Sequence, residues 1–184
     1  MAVSADSAEA AAFLGEEEQV VAGKNNPDGK SETASKQEAS LKRDEPVKRS
    51  PVIRAIAAAE KGTTGEIRVH LSKKWFEPDP FARATKLFHR FGMAKTAQRN
   101  AVLIYVNLRR KKFALIGDEG IHKAVGQDYW NGLAEALRND LRSCSTEDAI
   151  ALAVRTVGAT LQRFFPADLD VENPNELPDE MTQD

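Results

Sequence analysis

The sequence predicts an α/β domain, a three-layer α/β/α sandwich around a small mixed sheet of three or four strands. Three observations carry that expectation. Residues 101–107, AVLIYVN, form an unbroken apolar and β-branched run, the pattern of a strand buried on both faces. Ile67, Val69 and Leu71 alternate with Glu66, Arg68 and His70 at the period of a half-buried strand. Amphipathic helical stretches lie between and after these runs, with apolar residues at three- and four-residue spacing.

Taken in order, the first regular element is expected at Ser50 and Pro51, a good N-cap followed by a residue suited to the first helical position. Val52, Ile53, Ile56 and Ala59 share one face of that helix, and Gly62 ends it. Thr63, Thr64 and Gly65 turn the chain into the strand that runs to Ser72, and the loop KKWFEPDP follows. Asp79 caps a helix over residues 80–91, in which Phe81, Ala84, Leu87, Phe88 and Phe91 face a core. Strand, helix and strand in this order predict a parallel pair with a right-handed crossover.

A second apolar run, residues 113–116, is separated from the first by LRRKK. That connection is too short for a crossover helix, so the pair is expected to be an antiparallel hairpin. Residues 121–125 read as one or two helical turns. Asp128 is expected to cap a helix through Tyr129, Trp130, Leu133, Leu137 and Leu141. Ser145, with Asp148 at the reciprocal position of a capping box, opens the last long helix, and Pro166 ends it. The domain is placed at 50–166, preceded by an extension over 1–49 and followed by an acidic tail over 167–184. In the extension, residues 13–22 read as a short helix start. Residues 23–49 are too polar to offset their ordering entropy and read as disordered.

Charge is unevenly laid out. Residues 51–165 carry 19 Lys and Arg against 11 Asp and Glu, whereas residues 166–184 carry seven acids and no base. The tail either folds onto the basic body and supplies carboxylates to a site, or is solvated. No run reaches transmembrane length, and no apolar N-terminal segment follows a basic start. The single cysteine, Cys144, excludes an internal disulfide and a cysteine-built zinc site, and cytoplasm is the expected compartment. The basic turn of residues 108–112 lacks an interleaved aromatic platform and the sequence pI is about 6.0, so a solvated hairpin tip is favoured over nucleic-acid binding. The same tip could touch an anionic membrane surface. Trp75 and Phe76 in the first loop read as core.

The topology also predicts a site. Parallel strands bring Glu66 and Asn100 in at one sheet edge, and the antiparallel third strand delivers Asp118 and Glu119 to the same edge. Asp128 begins a helix just beyond. Hard oxygen ligands without histidine or cysteine suit calcium or magnesium rather than zinc. The competing reading is that Glu66 faces solvent and that Asp118 and Asp128 only cap helices.

TGEIRVHL, GMAKTAQRNAVLIYV, KKFALIGDEGIHKAVG and NELPDE together resemble the TPM domain family, which includes a thylakoid-lumen phosphatase-like protein, a photosystem repair factor and a receptor modulator. The stand-alone bacterial branch is the nearest match. The resemblance implies an α/β/α fold and divalent metal binding, calcium in particular, at Glu66, Asn100, Asp118, Glu119 and Asp128. It implies a role in assembly with a membrane-associated protein partner, or, for part of the family, a weak acid phosphatase activity. Three features depart from the pattern. Ala101 stands where the family usually has glycine, the signal sequence and anchor of exported members are absent, and residues 23–49 read as an insertion. No glycine-rich phosphate loop or cysteine–arginine phosphatase signature appears, and His70, His89 and His122 are scattered. A binding module is therefore the first expectation and a metal-dependent phosphatase the alternative.

Overall fold

The computed structural model describes residues 50–77, 79–167 and 181–184. The expected helix start at 13–22 and the polar stretch 23–49 lie outside these residues. Helix α1, Pro51–Glu60, is capped by Ser50, whose hydroxyl accepts from the Val52 N–H at 3.3 Å. Strand β1, Ile67–Ser72, leads through a loop to α2, Pro80–Arg90, capped by Asp79, which accepts from the Phe81 N–H at 2.8 Å. A 3-10 turn at Met93–Lys95 precedes strands β2, Val102–Asn107, and β3, Lys112–Gly117. Helices α3, Glu119–Ser143, and α4, Thr146–Phe164, follow. Ser145 caps α4 as expected, its hydroxyl accepting from the Asp148 N–H; the Asp148 carboxylate accepts from that hydroxyl rather than from the Ser145 backbone N–H of a full capping box.

The sheet order is β3-β2-β1-β4. β1 and β2 are parallel, with Ile67 opposite Val102 and Ser72 opposite Asn107. β2 and β3 are antiparallel, with Val102 opposite Gly117 and Asn107 opposite Lys112. The fourth strand, β4, is Met181–Gln183, parallel to β1 and paired from Val69 opposite Met181 to Leu71 opposite Gln183. The sequence gives no strand signal there. Three residues without alternation carry none, and it is the free edge of β1 that imposes the conformation. Of the two readings of the tail, the end of the chain takes the one that folds onto the body.

Two apolar cores flank the sheet. Ile67, Val69, Leu71, Val102, Ile104, Phe113 and Leu115 pack against α1, α3 and α4. Leu103, Tyr105, Ala114 and Ile116 pack against α2 through Ala84, Leu87 and Phe88. Burial of alternate β2 residues in different cores is the physical reason its sequence is apolar throughout.

Two expectations need correction. His70, on the polar phase of β1, is buried, because that phase faces the α2 layer rather than solvent. Trp75 and Phe76 are not core: they are 63% and 92% exposed. The α2-side core is already filled by Phe88, Met93 and Tyr105, and the loop that carries the pair is anchored instead through the buried Glu77. The expected division of α3 is present: the helix breaks at Gly126, φ 74° and ψ 176°, so a short helical stretch precedes it and a second begins beside the predicted start at Asp128.

The α1–α4 contact is close enough to test. A Cβ at Gly158 would lie 2.4 Å from the Ala59 Cβ. Gly158→Val is expected to destabilise the fold by about 1–3 kcal/mol through overpacking, measured as a lower midpoint in thermal or urea unfolding.

Candidate functional site

The ladder continues one row past the strand ends. The Val102 N–H donates to the Glu66 carbonyl at 2.8 Å, and the Asp118 N–H donates to the Ala101 carbonyl at 2.9 Å. Glu66, Ala101 and Asp118 therefore form a row across β1, β2 and β3. Ala101 belongs to the α2-side core, and by alternation Glu66 and Asp118 share its side of the sheet. Neighbouring strands are about 4.8 Å apart, so the two acidic residues straddle the small Ala101 at roughly 10 Å between Cα atoms.

Asp118 is 1% exposed, so its carboxylate must find partners inside the protein. Arg99 Nε donates to one oxygen and Arg99 Nη2 to the other, both at 2.8 Å, and the Glu119 N–H donates to Oδ1 at 2.8 Å. This is a bidentate, charge-assisted pair combined with the N-cap of α3. The carboxylate holds the Arg99 guanidinium above its ordinary pKa. Arg99 is itself in the left-handed region at φ 53°, uncommon for a residue with a Cβ. That turn aims its carbonyl at α3, where it accepts from the Gly120 N–H at 2.7 Å and the Ile121 N–H at 3.3 Å. Gly120 makes the approach possible, since a Cβ there would lie 2.2 Å from the Gln98 carbonyl oxygen.

Asn100 is fully buried. Its Nδ2 donates to the Thr64 hydroxyl at 3.2 Å, but its Oδ1 has no hydrogen-bond partner among the described residues. Glu66 is 3% exposed, so it is not a solvent-facing strand start. Glu119 is exposed and takes a hydrogen bond from Lys123, which lowers its pKa. Asp128 is exposed, lies two residues beyond the break at Gly126, and makes no hydrogen bond or ion pair with the rim among the described residues. The structure thus brings Glu66, Asn100, Asp118 and Glu119 to one rim and leaves Asp128 apart from it.

The donor set, carboxylate and amide oxygens, fits a hard cation. Among the described residues no three His, Cys, Asp or Glu side chains converge closely enough to hold one, and both Asp118 oxygens are covered by Arg99. Arg99 stands where a cation would. The sequence reading overlooked it, although a guanidinium immediately before Asn100 in RNAVLIYV is the expected neutraliser of an acidic corner.

At the opposite end of the sheet lies a second polar cluster. Glu77 is buried and accepts from the Tyr105 hydroxyl at 2.5 Å and from Asn107 Nδ2 at 3.1 Å. His70 stacks on Tyr105 and faces Asp184, which also pairs with Lys74 and Arg83. Burial disfavours the Asp184 carboxylate, but hydrogen bonds from Lys74, Ser72, Arg83 and His70 outweigh it and hold that carboxyl well below the usual range. Burial lowers the His70 pKa, and Asp184 only partly offsets it.

A family model described as the TPM domain matches residues 39–160. The chain is similar to the protein BA42 of the psychrophilic bacterium Bizionia argentinensis, solved by NMR. The two share 33% identity and a TM-score of 0.67, over 78% of this chain and 99% of that one. No curated protein matches the chain.

The His70 environment predicts a pH dependence. The unfolded chain takes up the imidazole proton near pH 6.5, before the folded chain does. Stability from this group is therefore complete above that pH and falls as the solution is acidified through it. His70→Asn is expected to flatten the dependence of the unfolding free energy on pH just below 6.5, as read by urea titration.

Proposed function

This chain belongs to the TPM domain family, and within it we propose a divalent-cation-binding module, calcium first and magnesium second, with its site at the rim of Glu66, Asn100, Asp118 and Glu119. The observation that carries the reading is the buried Asn100 Oδ1, without a partner among the described residues, at an edge where two further buried side chains, Glu66 and Asp118, arrive from separate segments. An unsatisfied buried acceptor costs on the order of 1–3 kcal/mol, and a hard cation would satisfy it.

Cation entry requires the Arg99 fork to leave Asp118. The Arg99 side chain is 47% exposed, so it can move into water, whereas the Asp118 carboxylate at 1% cannot. Glu119 is held only by a solvent-exposed i,i+4 pair to Lys123, which water screens, and is easily released. Asp128 is the outlying member of the set. The broader role proposed is assembly with a membrane-associated protein partner, and cytoplasm remains the proposed compartment for a chain with one cysteine. No helix of the described residues is long and apolar enough to cross a membrane.

Thermal melting of the full chain with calcium, and with chelator, tests the site. A specific ion should stabilise by about 2.7 kcal/mol at a hundredfold excess over Kd. Asp118→Asn and Asn100→Ala should remove the effect, and Asp128→Asn should weaken it least. Arg99→Ala separates binding from structure: the apo protein should lose about 1–2 kcal/mol, less than for a fully buried pair because Arg99 is half exposed, while calcium affinity rises. No melting shift at millimolar calcium, or an Arg99→Ala variant that binds more weakly, would defeat the proposal.

The alternative is a weak metal-dependent acid phosphatase. It draws on His122, one turn into α3 with its N–H donating to the Asp118 carbonyl, whose Nδ1 is buried without a partner among the described residues. Hydrolysis of a generic phosphomonoester should then fall at least tenfold in Asp118→Asn, since metal-site losses are of about that size. Unchanged hydrolysis would remove the rim from any mechanism.

A further inference from the structure

Trp75 and Phe76 project from the loop between β1 and α2, 63% and 92% exposed, next to the exposed Lys73 and Lys74. The β2–β3 turn beside them carries Arg109, Arg110 and Lys111, and Lys112 opens β3 next to it. The two loops are tied together. Arg110 Nη1 donates to the Trp75 carbonyl at 3.3 Å, and Asn107 Nδ2 donates to the Lys74 carbonyl at 3.0 Å. Asn107 Oδ1 also accepts from the Arg109 and Arg110 N–H groups at 3.2 and 3.0 Å, which shapes the turn. The aromatic pair and the six cations thus form one surface at the C-terminal ends of β1 and β2.

Among the described residues its charge is largely uncompensated. Glu77 is buried and turned to Tyr105 and Asn107. Asp184 engages Lys74 and Arg83, and Asp79 caps α2. Among the ion pairs of the described residues, Lys74 is the only one of the six cations that takes part.

We propose that this surface, Trp75 and Phe76 ringed by Lys73, Lys74, Arg109, Arg110, Lys111 and Lys112, docks the protein on an anionic lipid bilayer. Each part has a physical task. Phe76, wholly apolar and almost fully exposed, enters the boundary of headgroups and acyl chains. Trp75, with an apolar body and one polar N–H, suits the headgroup level. The surrounding Lys and Arg are attracted by the negative surface potential of anionic lipids. A nucleic acid would meet the same cations but has no use for an apolar Phe76 at the tip, and an acidic protein would have to supply an apolar pocket of its own. Docked in this way, the cation rim at the other end of the sheet faces away from the bilayer. The inference does not depend on the cation reading.

Two tryptophans make the test direct. Trp130 is 1% exposed and Trp75 is exposed, so a shift in emission on adding vesicles reports Trp75. The full chain is mixed with vesicles of phosphatidylcholine alone, or of phosphatidylcholine with phosphatidylglycerol, and followed by emission and co-sedimentation. The expected result is a blue shift and sedimentation with the anionic vesicles only, weakened by salt because surface charges are screened over about 10 Å at 0.1 M. Phe76→Ser should lower the partition coefficient about tenfold through lost apolar burial. Each of Arg109→Gln and Lys111→Gln should lower it about fivefold. All three residues touch water in the free protein, and unchanged melting would show that the variants fold. No partition to anionic vesicles, equal partition to neutral ones, or partition indifferent to Phe76→Ser would each overturn the proposal.

Discussion

A carboxylate cannot be buried alone, and the Asp118 rim is built around that constraint. Asp118 ends β3, starts α3 and is shielded from water, so three donors must be delivered to it. One comes from its own helix, at the Glu119 N–H, and two come from Arg99, which precedes β2. The left-handed backbone at Arg99 allows one residue to present its guanidinium to Asp118 and its carbonyl to the first turn of α3. A single ion pair thereby fixes the entry to β2, the exit from β3 and the direction of α3. Glu66 and Asn100 are then held at the same edge by the strand ladder, with no freedom to diverge.

The two ends of the sheet differ in kind. Six-residue strands rise about 20 Å, which separates the rim from the loops at the far end. At the rim, acids and an amide converge with one cation over them. At the far end, exposed cations and aromatics lie around a buried acid, Glu77, whose Oε2 accepts from Tyr105 and Asn107. The cation proposed at the rim and the headgroups proposed at the far end would therefore meet different side chains.

Much of the fold was legible because its signals are local. Ser50, Asp79 and Ser145 cap helices where the sequence places them, each hydroxyl or carboxylate answering an N–H two or three residues on. The hairpin register follows from a short connection between two apolar runs. The rim residues Glu66, Asn100, Asp118 and Glu119 could be grouped from topology alone, because parallel and antiparallel strands have definite ends. Arg99 escaped the same reasoning, since its role depends on a backbone conformation that no spacing announces. Trp75 and Phe76 were misread as core because their apolarity is visible in a sequence and the space available to them is not.

The sequence by itself determined the layered α/β architecture, the caps, the hairpin and the edge at which the acidic residues meet. These rest on periodicity, chain direction and hydrogen bonds between near neighbours. Tertiary structure alone decided that Asp118 is gripped by Arg99, that His70 is buried beneath α2, that Met181–Gln183 completes the sheet, and that Trp75 and Phe76 face water. Each of those outcomes turns on which volume is already occupied and which edge is still open. Both are settled only when segments distant in the chain have packed together.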